Sequence, residues 1–342
     1  MKNKISLIIL GLLGFSIVSC DDETALNETL IMALTEDPKP AEKAVVETIE
    51  TKNWAIAIHG GAGYISPGRY DAEEEEAYLD ALDEALKIGE EALKSGSPAL
   101  EVVQQVIMHL EDNPLFNAGR GAVLTNSGTA ELDASLMDGR SLNAGAVAGV
   151  KTIKNPILAA RYVMDSTKHV LLSGDGVEGL VGKAGLEMVK NEYFITQEHR
   201  EELKSIQKHG TVGCVVLDRG GNLAAGTSTG GMMNKQWGRI GDSPIIGAGT
   251  YADNSTCAVS CTGHGEYFIR KSIAHDIHAR MKYGKQNLAT AAKGSLDELS
   301  DMNALGGFVA VDKNGKVAML FNTEGMFRAY STEDQRVVEM YK

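Results

Sequence analysis

The most constraining stretch of this 342-residue chain runs from His209 to Arg239, HGTVGCVVLDRGGNLAAGTSTGGMMNKQWGR. An apolar run, Val212 to Leu217, is followed by the turn Asp218-Arg219-Gly220-Gly221-Asn222. A second run then ends in Thr227-Ser228-Thr229-Gly230-Gly231. Two such runs around a Gly/Asn turn predict a β-hairpin. Threonines also suit β structure for its own sake, but three features here go further. Thr211 stands at the head of the first strand, Gly210 before it opens backbone conformations closed to other residues, and the turn folds a cluster of hydroxyls back towards it. Cutting the Gly210–Thr211 peptide would free an α-amine beside the Thr211 hydroxyl, and that amine could act as the hydroxyl's base.

The length allows two domains or one large α/β unit. Aromatic residues are sparse at 6%, glycine is high at 38 and proline low at 7, a mixture that favours small-residue packing and close backbone approaches. The net charge of −13 would repel a phosphate backbone, and with no basic cluster a nucleic-acid role is set aside. Met1 to Ser19 carries two lysines and a short apolar segment, the pattern of a secretory signal. Ile17-Val18-Ser19-Cys20 resembles a bacterial lipoprotein box. The expectation is therefore an exported cell-envelope protein, facing the periplasm or the surface, anchored to the membrane by a lipid at Cys20. Residues 20–51, acidic and holding Pro38 and Pro40, read as a tether. Cys214, Cys257 and Cys261 remain. Cys214 reads as a small buried residue. Cys257 and Cys261 fall on one face of one strand, a poor geometry for a disulfide.

In chain order, Trp54 to Ile58 reads as a strand ending in His59-Gly60-Gly61-Ala62-Gly63. Glu73 to Ser95 reads as a helix with Leu79, Leu82, Leu86 and Leu93 on one face. Ser97-Pro98 reads as an N-cap followed by a first-turn proline, opening a second helix that stops by Pro114. A glycine-punctuated loop, Leu115 to Gly121, leads into strands over Ala122–Thr125, Ala130–Met137 and Asn143–Val150, and Asn155-Pro156 opens another helix. Gly174-Asp175-Gly176-Val177-Glu178-Gly179 fits the spacing of a dinucleotide fingerprint. However, Glu178 would set a negative charge beside the pyrophosphate and repeated βαβ spacing is missing, so that reading is rejected. Phe194 to Lys208 is polar and reads as a helix or linker that would become a chain end after cleavage. Short strands are expected at Ile245–Gly249 and Ala258–Thr262, then a helix from about Tyr267. A second hairpin, Phe308–Asp312 with Val317–Phe321, suggests that it shares one twisted antiparallel sheet with the first. Helices before, between and after the strands give layered α+β packing.

Seven motifs occur in order: His59-Gly60-Gly61-Ala62-Gly63, Asn117-Ala118-Gly119, Glu131-Leu132-Asp133-Ala134, Gly210-Thr211-Val212-Gly213, Thr227-Ser228-Thr229-Gly230-Gly231, Gly238-Arg239-Ile240-Gly241-Asp242-Ser243-Pro244 and Thr262-Gly263-His264-Gly265-Glu266. Together they resemble the plant-type L-asparaginase / isoaspartyl peptidase family of N-terminal-nucleophile hydrolases, related to glycosylasparaginase, from about Trp54 to the C-terminus.

The resemblance implies a four-layer αββα sandwich and a precursor that cuts itself into an α chain (residues 52–210) and a β chain (211–342), assembled as an (αβ)2 heterotetramer. Thr211 would attack the side-chain carbonyl of asparagine or of a β-aspartyl dipeptide, with Thr229 hydrogen-bonded to it. Thr262 and the Gly263 N–H would form the oxyanion hole. Arg239 would hold the substrate α-carboxylate and Asp242 its α-ammonium, helped by the Gly265 backbone. Asn117 would set the precursor's geometry around Gly210 and Thr211. No cofactor is implied for catalysis. A structural sodium or potassium ion is implied on the backbone carbonyls of Leu110, Glu111, Asn113, Phe116, Ala118 and Arg120. Gly210 and the Thr262–Glu266 motif favour isoaspartyl peptidases, whereas His209 leans towards glycosylasparaginases. His264 could tune substrate preference, and an exposed loop histidine is the alternative. The rival readings are a glycosylasparaginase acting on GlcNAc-Asn and a non-catalytic surface lipoprotein.

Overall fold

The computed structural model describes residues 48–49, 54–196 and 210–342. The expected leader, the tether apart from Thr48–Ile49, and most of the polar stretch before Gly210 lie outside the described residues.

Alternation along the central strands sorts their side chains into different cores. In β2 (Ala55–Gly63), Ile56 and Ile58 face one way and Ala55 and Ala57 the other. The same split runs through β6 (Val212–Leu217), with Val212, Cys214 and Val216 on the first face and Val215 and Leu217 on the second. A strand apolar on both faces must be covered on both. β2 and β6 lie mid-sheet in the order β13-β12-β2-β6-β7-β3-β4-β5. Here β3 is Leu132–Asp138, β4 Ala144–Val150, β5 Leu171–Ser173, β7 Leu223–Thr229, β12 Gly325–Thr332 and β13 Arg336–Tyr341.

On the outer face pack α1 (Ala72–Lys94), α2 (Ala99–Asp112), α3 (Pro156–Ser166) and α4 (Gly174–Lys183). A capping box starts α1: Asp71 Oδ1 accepts the Glu74 N–H at 2.9 Å and Glu74 Oε2 accepts the Asp71 N–H at 3.0 Å, an arrangement worth about 1 kcal/mol. α2 departs from expectation by one residue, because Pro98 is its N-cap. Proline has no side-chain oxygen, and the freed Ala99 N–H is taken instead by Asp218 Oδ2 at 3.0 Å, from the β6–β7 turn. The hairpin's turn therefore caps the helix that covers it.

The inner face meets a second sheet, β1-β11-β10-β9-β8, made of β1 (Thr48–Ile49), β8 (Thr250–Ala252), β9 (Cys257–Gly263), β10 (Gly306–Asp312) and β11 (Val317–Phe321). The two predicted hairpins thus fall in facing sheets and not in one, because Val309 and Val311 of β10 pack against Val215 and Leu217 of β6. Small residues (Ala55, Ala57, Ala225, Ala252, Ala258) fill much of this interface, which is where the sparse aromatic content shows its effect. The other face of the second sheet, with Val259, Phe308 and Leu320, lies under Ile273, Ile277, Leu296 and Leu299. These come from α6 (Ile273–Lys282) and α7 (Leu288–Asp301); α5 (Gly265–Lys271) precedes them, and Ser272 at φ 50° breaks the expected single helix in two. The resulting layer order is α, β, β, α, as expected.

Ala122–Thr125 and Ile245–Gly249 do not form the expected strands. The first makes an isolated bridge, Leu124 with Ala130, and the second is a series of turns around one isolated bridge, Ile246 with Thr250. Cys257 and Cys261 share a face with Val259, and these two and Cys214, the cysteines among the described residues, are free and buried. Gly174 does follow a strand and open a helix, but the Glu178 carboxylate accepts the Thr152 N–H at 2.9 Å and also the Lys151 N–H. The acid of that segment is thus tied to the backbone after β4, and its negative charge at the helix start disfavours a phosphate.

Candidate active site

The site lies where the head of β6 and the ends of β2, β7 and β9 meet. The β6–β7 register pairs Val212 with Ser228, which sets Thr211 beside Thr229 one step further along. Thr211 is buried, and its Oγ1 lies 3.1 Å from Thr229 Oγ1 and 2.8 Å from the carbonyl oxygen of Gly210. Thr229 Oγ1 accepts the Gly231 N–H at 2.9 Å and lies 3.3 Å from the same Gly210 oxygen. Asn117 Nδ2 donates to that oxygen at 2.8 Å and to the Gly231 carbonyl at 2.7 Å, while its Oδ1 accepts the Val123 N–H at 2.9 Å. The Gly210–Thr211 peptide is therefore held by donors on its carbonyl oxygen, with a hydroxyl against it.

β2 reaches the same peptide through an irregularity. The β2–β12 register shifts between Phe327 and Arg328, leaving Gly60 as an extra residue, and such bulges re-aim the chain near functional sites. Beyond it Gly61 adopts φ +118°, and a Cβ there would sit 2.8 Å from Gly210 Cα and 3.3 Å from Thr211 N. Glycine is required at this position on both counts.

Gly210, Thr211, Thr229, Arg239, Asp242 and Gly263 line one pocket of about 40 Å³. Asp242 is buried, and its Oδ2 has no hydrogen-bond partner. Burial pushes its carboxyl up to about 7, opposed by its own backbone N–H and by Arg239. A buried carboxylate oxygen with nothing to accept from is costly unless a donor arrives, and a substrate ammonium would supply one. The Thr262 hydroxyl at the end of β9 is likewise buried and unpartnered, next to Gly263 at the pocket wall. A Cβ on Gly265 would lie 2.8 Å from Asp242 Oδ1 and 2.9 Å from Arg239 Nη2, so glycine there preserves the room for both.

Two features escaped the sequence reading. Arg239 is paired in bidentate fashion with Glu266, Nε to Oε1 at 2.9 Å and Nη2 to Oε2 at 3.0 Å. That acid stood inside a recognised motif but was given no role. Glu266 fixes the plane of the guanidinium, and the pair holds its carboxyl below the usual range. The second feature is His59, fully buried, with Nδ1 donating to the Thr211 carbonyl at 2.8 Å and Nε2 2.9 Å from Ser260 Oγ. A carbonyl can only accept, so Nδ1 carries the proton and Nε2 accepts from Ser260. Burial pushes this imidazole down to about 3, which keeps it neutral. Ser260 continues into a ladder of hydroxyls: Thr227 at 2.7 Å, then Thr250 at 2.5 Å, then Ser135 at 2.8 Å, which reaches the Ser243 carbonyl at 2.6 Å. The ladder ties the Thr211 backbone to the loop that carries Asp242. Its sequence signature, hydroxyl residues at inward-facing strand positions, is indistinguishable from ordinary β composition.

The remaining expected residues are dispersed. His264 is exposed and borders the Thr211 pocket. Leu110 to Arg120 winds tightly from the end of α2. A Cβ on Gly119 would sit 2.3 Å from the Glu111 carbonyl oxygen, and one on Gly121 would sit 2.1 Å from that of Phe116. Only glycine fits at these two points of the loop. Beneath it, burial pushes the Glu111 carboxyl up to about 8, while Oε1 accepts from Ser228 at 2.7 Å and from the Ile157 N–H at 3.0 Å.

An αββα sandwich with a threonine at the head of a central strand, its amine still locked in a peptide, belongs to the N-terminal-nucleophile class of hydrolases. Comparison with known sequences gives the family. The sequence model described as Asparaginase matches residues 52–209 and 204–340. The chain is 48% identical over 294 residues to the isoaspartyl peptidase of Escherichia coli, covering 80% of this chain and 92% of that one. It is 42% identical over 274 residues to the isoaspartyl peptidase/L-asparaginase of Rattus norvegicus, covering 76% and 80%. With that of Xenopus laevis the identity is 38% over 298 residues, covering 84% and 94%. This chain belongs to the asparaginase family those proteins share.

These comparisons correct one expectation. The relatives are named as isoaspartyl peptidases or L-asparaginases and none of them as a lipoprotein, and the family match begins at residue 52. These findings run against the reading of an exported protein anchored at Cys20, which rested on the Met1 to Cys20 sequence alone.

Proposed function

We propose that this protein is a self-processing threonine amidohydrolase that releases L-aspartate from L-asparagine and from β-aspartyl dipeptides. The observation that carries the reading is the contact of the buried Thr211 hydroxyl with Thr229 and with the Gly210 carbonyl, in one pocket with Arg239 and the unpartnered Asp242. The names of the relatives support the same substrates.

In processing, Thr211 Oγ1 attacks the Gly210 carbonyl carbon, and the oxygen takes up charge against Asn117 Nδ2. The Gly210–Thr211 carbon–nitrogen bond breaks as the hydroxyl proton passes to the Thr211 nitrogen, and water then hydrolyses the ester, leaving an α chain ending at Gly210 and a β chain beginning at Thr211. The freed α-amine, whose ordinary pKa is about 7.7–8.0, then takes the hydroxyl proton in each turnover. The substrate's α-carboxylate pairs with Arg239 and its α-ammonium with Asp242, which brings the side-chain carbonyl to Thr211. Charge on that carbonyl oxygen is met by the Thr262 hydroxyl and the Gly263 N–H, donors worth about 3 kcal/mol each in a preorganised site. The proton held by the amine passes to the leaving nitrogen, and water releases aspartate from the β-aspartyl ester.

The backbone carbonyls of Leu110, Glu111, Asn113, Phe116, Ala118 and Arg120 would hold a sodium or potassium ion, as hard oxygen ligands suit it. The close approach of Glu111 and Phe116 carbonyls to Gly119 and Gly121 supports that fit. The ion would order the loop carrying Asn117 and take no part in the chemistry. An (αβ)2 assembly belongs to the same proposal. Product analysis with β-aspartyl dipeptide, asparagine and GlcNAc-Asn tests the function. Aspartate from the first two is expected, and turnover of GlcNAc-Asn alone would overturn the reading in favour of a glycosylasparaginase.

A further inference from the structure

Next to the catalytic pocket lies a larger cavity of about 130 Å³, bordered by Ala62, Tyr64, Gly263, His264, Leu305 and Glu324. The two share Gly263 and His264. We infer that this cavity is the subsite for the leaving residue of a β-aspartyl dipeptide, and that it selects a neutral, apolar side chain there; the inference rests on the function proposed above.

Two independent placements point to it. The group that must protonate the leaving nitrogen is the Thr211 α-amine, so the leaving residue has to depart on the amine's side of the scissile bond. That side is walled by Gly61, whose Cβ position lies 3.3 Å from Thr211 N, and β2 runs directly on through Ala62 and Gly63 into the cavity wall. The second placement comes from the oxyanion side. Gly263 faces the catalytic pocket and the cavity alike, whereas Arg239 and Asp242, which hold the aspartyl head, border only the catalytic pocket of the two. The head and the leaving residue therefore sit on opposite sides of the reacting carbon. As the Thr211 ester forms, the carbon–nitrogen bond breaks, the nitrogen takes the proton that the amine took from the Thr211 hydroxyl, and the free amino acid remains over the cavity.

The wall is built and not a chance gap. The His264 N–H donates to the Leu305 carbonyl at 2.9 Å, and the Leu305 N–H donates to His264 Nδ1 at 3.3 Å. Among the described residues the lining carries the acid Glu324 and no lysine or arginine. A leucine-sized side chain finds apolar surface there, and an acidic one meets a like charge.

The test compares kcat/KM of the processed enzyme for β-aspartyl-leucine, β-aspartyl-glycine, β-aspartyl-glutamate and asparagine. Filling an apolar subsite is expected to raise kcat/KM for the leucine dipeptide about tenfold over the glycine dipeptide, with the glutamate dipeptide lowest. Leu305→Trp fills the cavity from one wall. Gly63, where a Cβ meets nothing within 4 Å, borders this cavity and a neighbouring one, and Gly63→Leu adds bulk at that border. Each variant should remove the leucine advantage and leave asparagine and β-aspartyl-glycine unchanged. Equal kcat/KM for leucine and glycine dipeptides in the unaltered enzyme, or variants that depress all four substrates equally, would overturn the subsite while leaving the proposed function standing. Failure to turn over asparagine and β-aspartyl-glycine at all would overturn both.

Discussion

Replacing Asn117 by alanine should slow self-cleavage far more than it loosens the fold. Three polar hydrogens approach the Gly210 carbonyl oxygen: from Asn117 Nδ2 at 2.8 Å, from Thr211 Oγ1 at 2.8 Å and from Thr229 Oγ1 at 3.3 Å. The Thr211 proton leaves as its oxygen attacks, and the Thr229 contact is long. Asn117 is then the short donor that stays in place while the oxyanion forms. Loss of one such donor costs on the order of 10²–10³ in rate. The same change frees the Val123 N–H and the Gly231 carbonyl, costing about 1–3 kcal/mol of stability. The two effects separate by assay: appearance of the smaller chains on a denaturing gel gives the cleavage rate, and thermal unfolding gives the stability. Cleavage within threefold of the unaltered rate, in a variant destabilised as expected, would refute the assignment of Asn117.

Asp242 titrates near pH 7 and the Thr211 amine at about 7.7–8.0; both act unprotonated, so log kcat/KM should fall with slope one just below pH 8 and slope two below 7. Asp242→Asn should raise KM for asparagine about 10- to 100-fold and return the limb to slope one; an unchanged limb would remove Asp242 from the site. Gly265→Ala, whose Cβ would meet Asp242 Oδ1 at 2.8 Å and Arg239 Nη2 at 2.9 Å, should raise KM at least about tenfold without blocking cleavage; unaltered KM would contradict the packing. His59 stays neutral in the fold down to about pH 3 but takes a proton below 6.5 when unfolded. Folding stability from this group is therefore complete above pH 6.5 and is lost as pH falls towards 3, by at most about 1.4 kcal/mol per unit. Glu111, protonated in the fold up to about pH 8, acts oppositely between 4.5 and 8. Urea unfolding of His59→Gln across pH 4–7 should show a shallower loss than the unaltered protein, and identical slopes would refute the buried neutral imidazole.

What could be seen in the sequence follows from the range of the forces involved. Hairpins and amphipathic helices are local, and alternation in Val212–Leu217 or the leucines of α1 revealed them directly. Partner choice between sheets is not local. The β10–β11 hairpin looks like β6–β7 from its residues alone, and only the packing of Val309 and Val311 on Val215 and Leu217 assigns it to the facing sheet. The same reason hid the true start of α2, whose first N–H is satisfied by Asp218 from a turn 119 residues away. In the site, Thr211, Thr229, Arg239, Asp242 and Gly263 were legible through their motifs and do converge on one pocket. Glu266 and the ladder from His59 to Ser135 were not. Their roles lie in which acceptor each side chain reaches, and neither residue type nor spacing encodes that.

The central claim is a free amine made at Thr211, and N-terminal sequencing of the purified protein with its intact mass tests it most directly. A chain beginning Thr211-Val212-Gly213-Cys214 is predicted, absent in Thr211→Ala together with asparagine turnover. An uncut chain that hydrolyses asparagine, or a Thr211→Ala variant that still does so, would contradict the account.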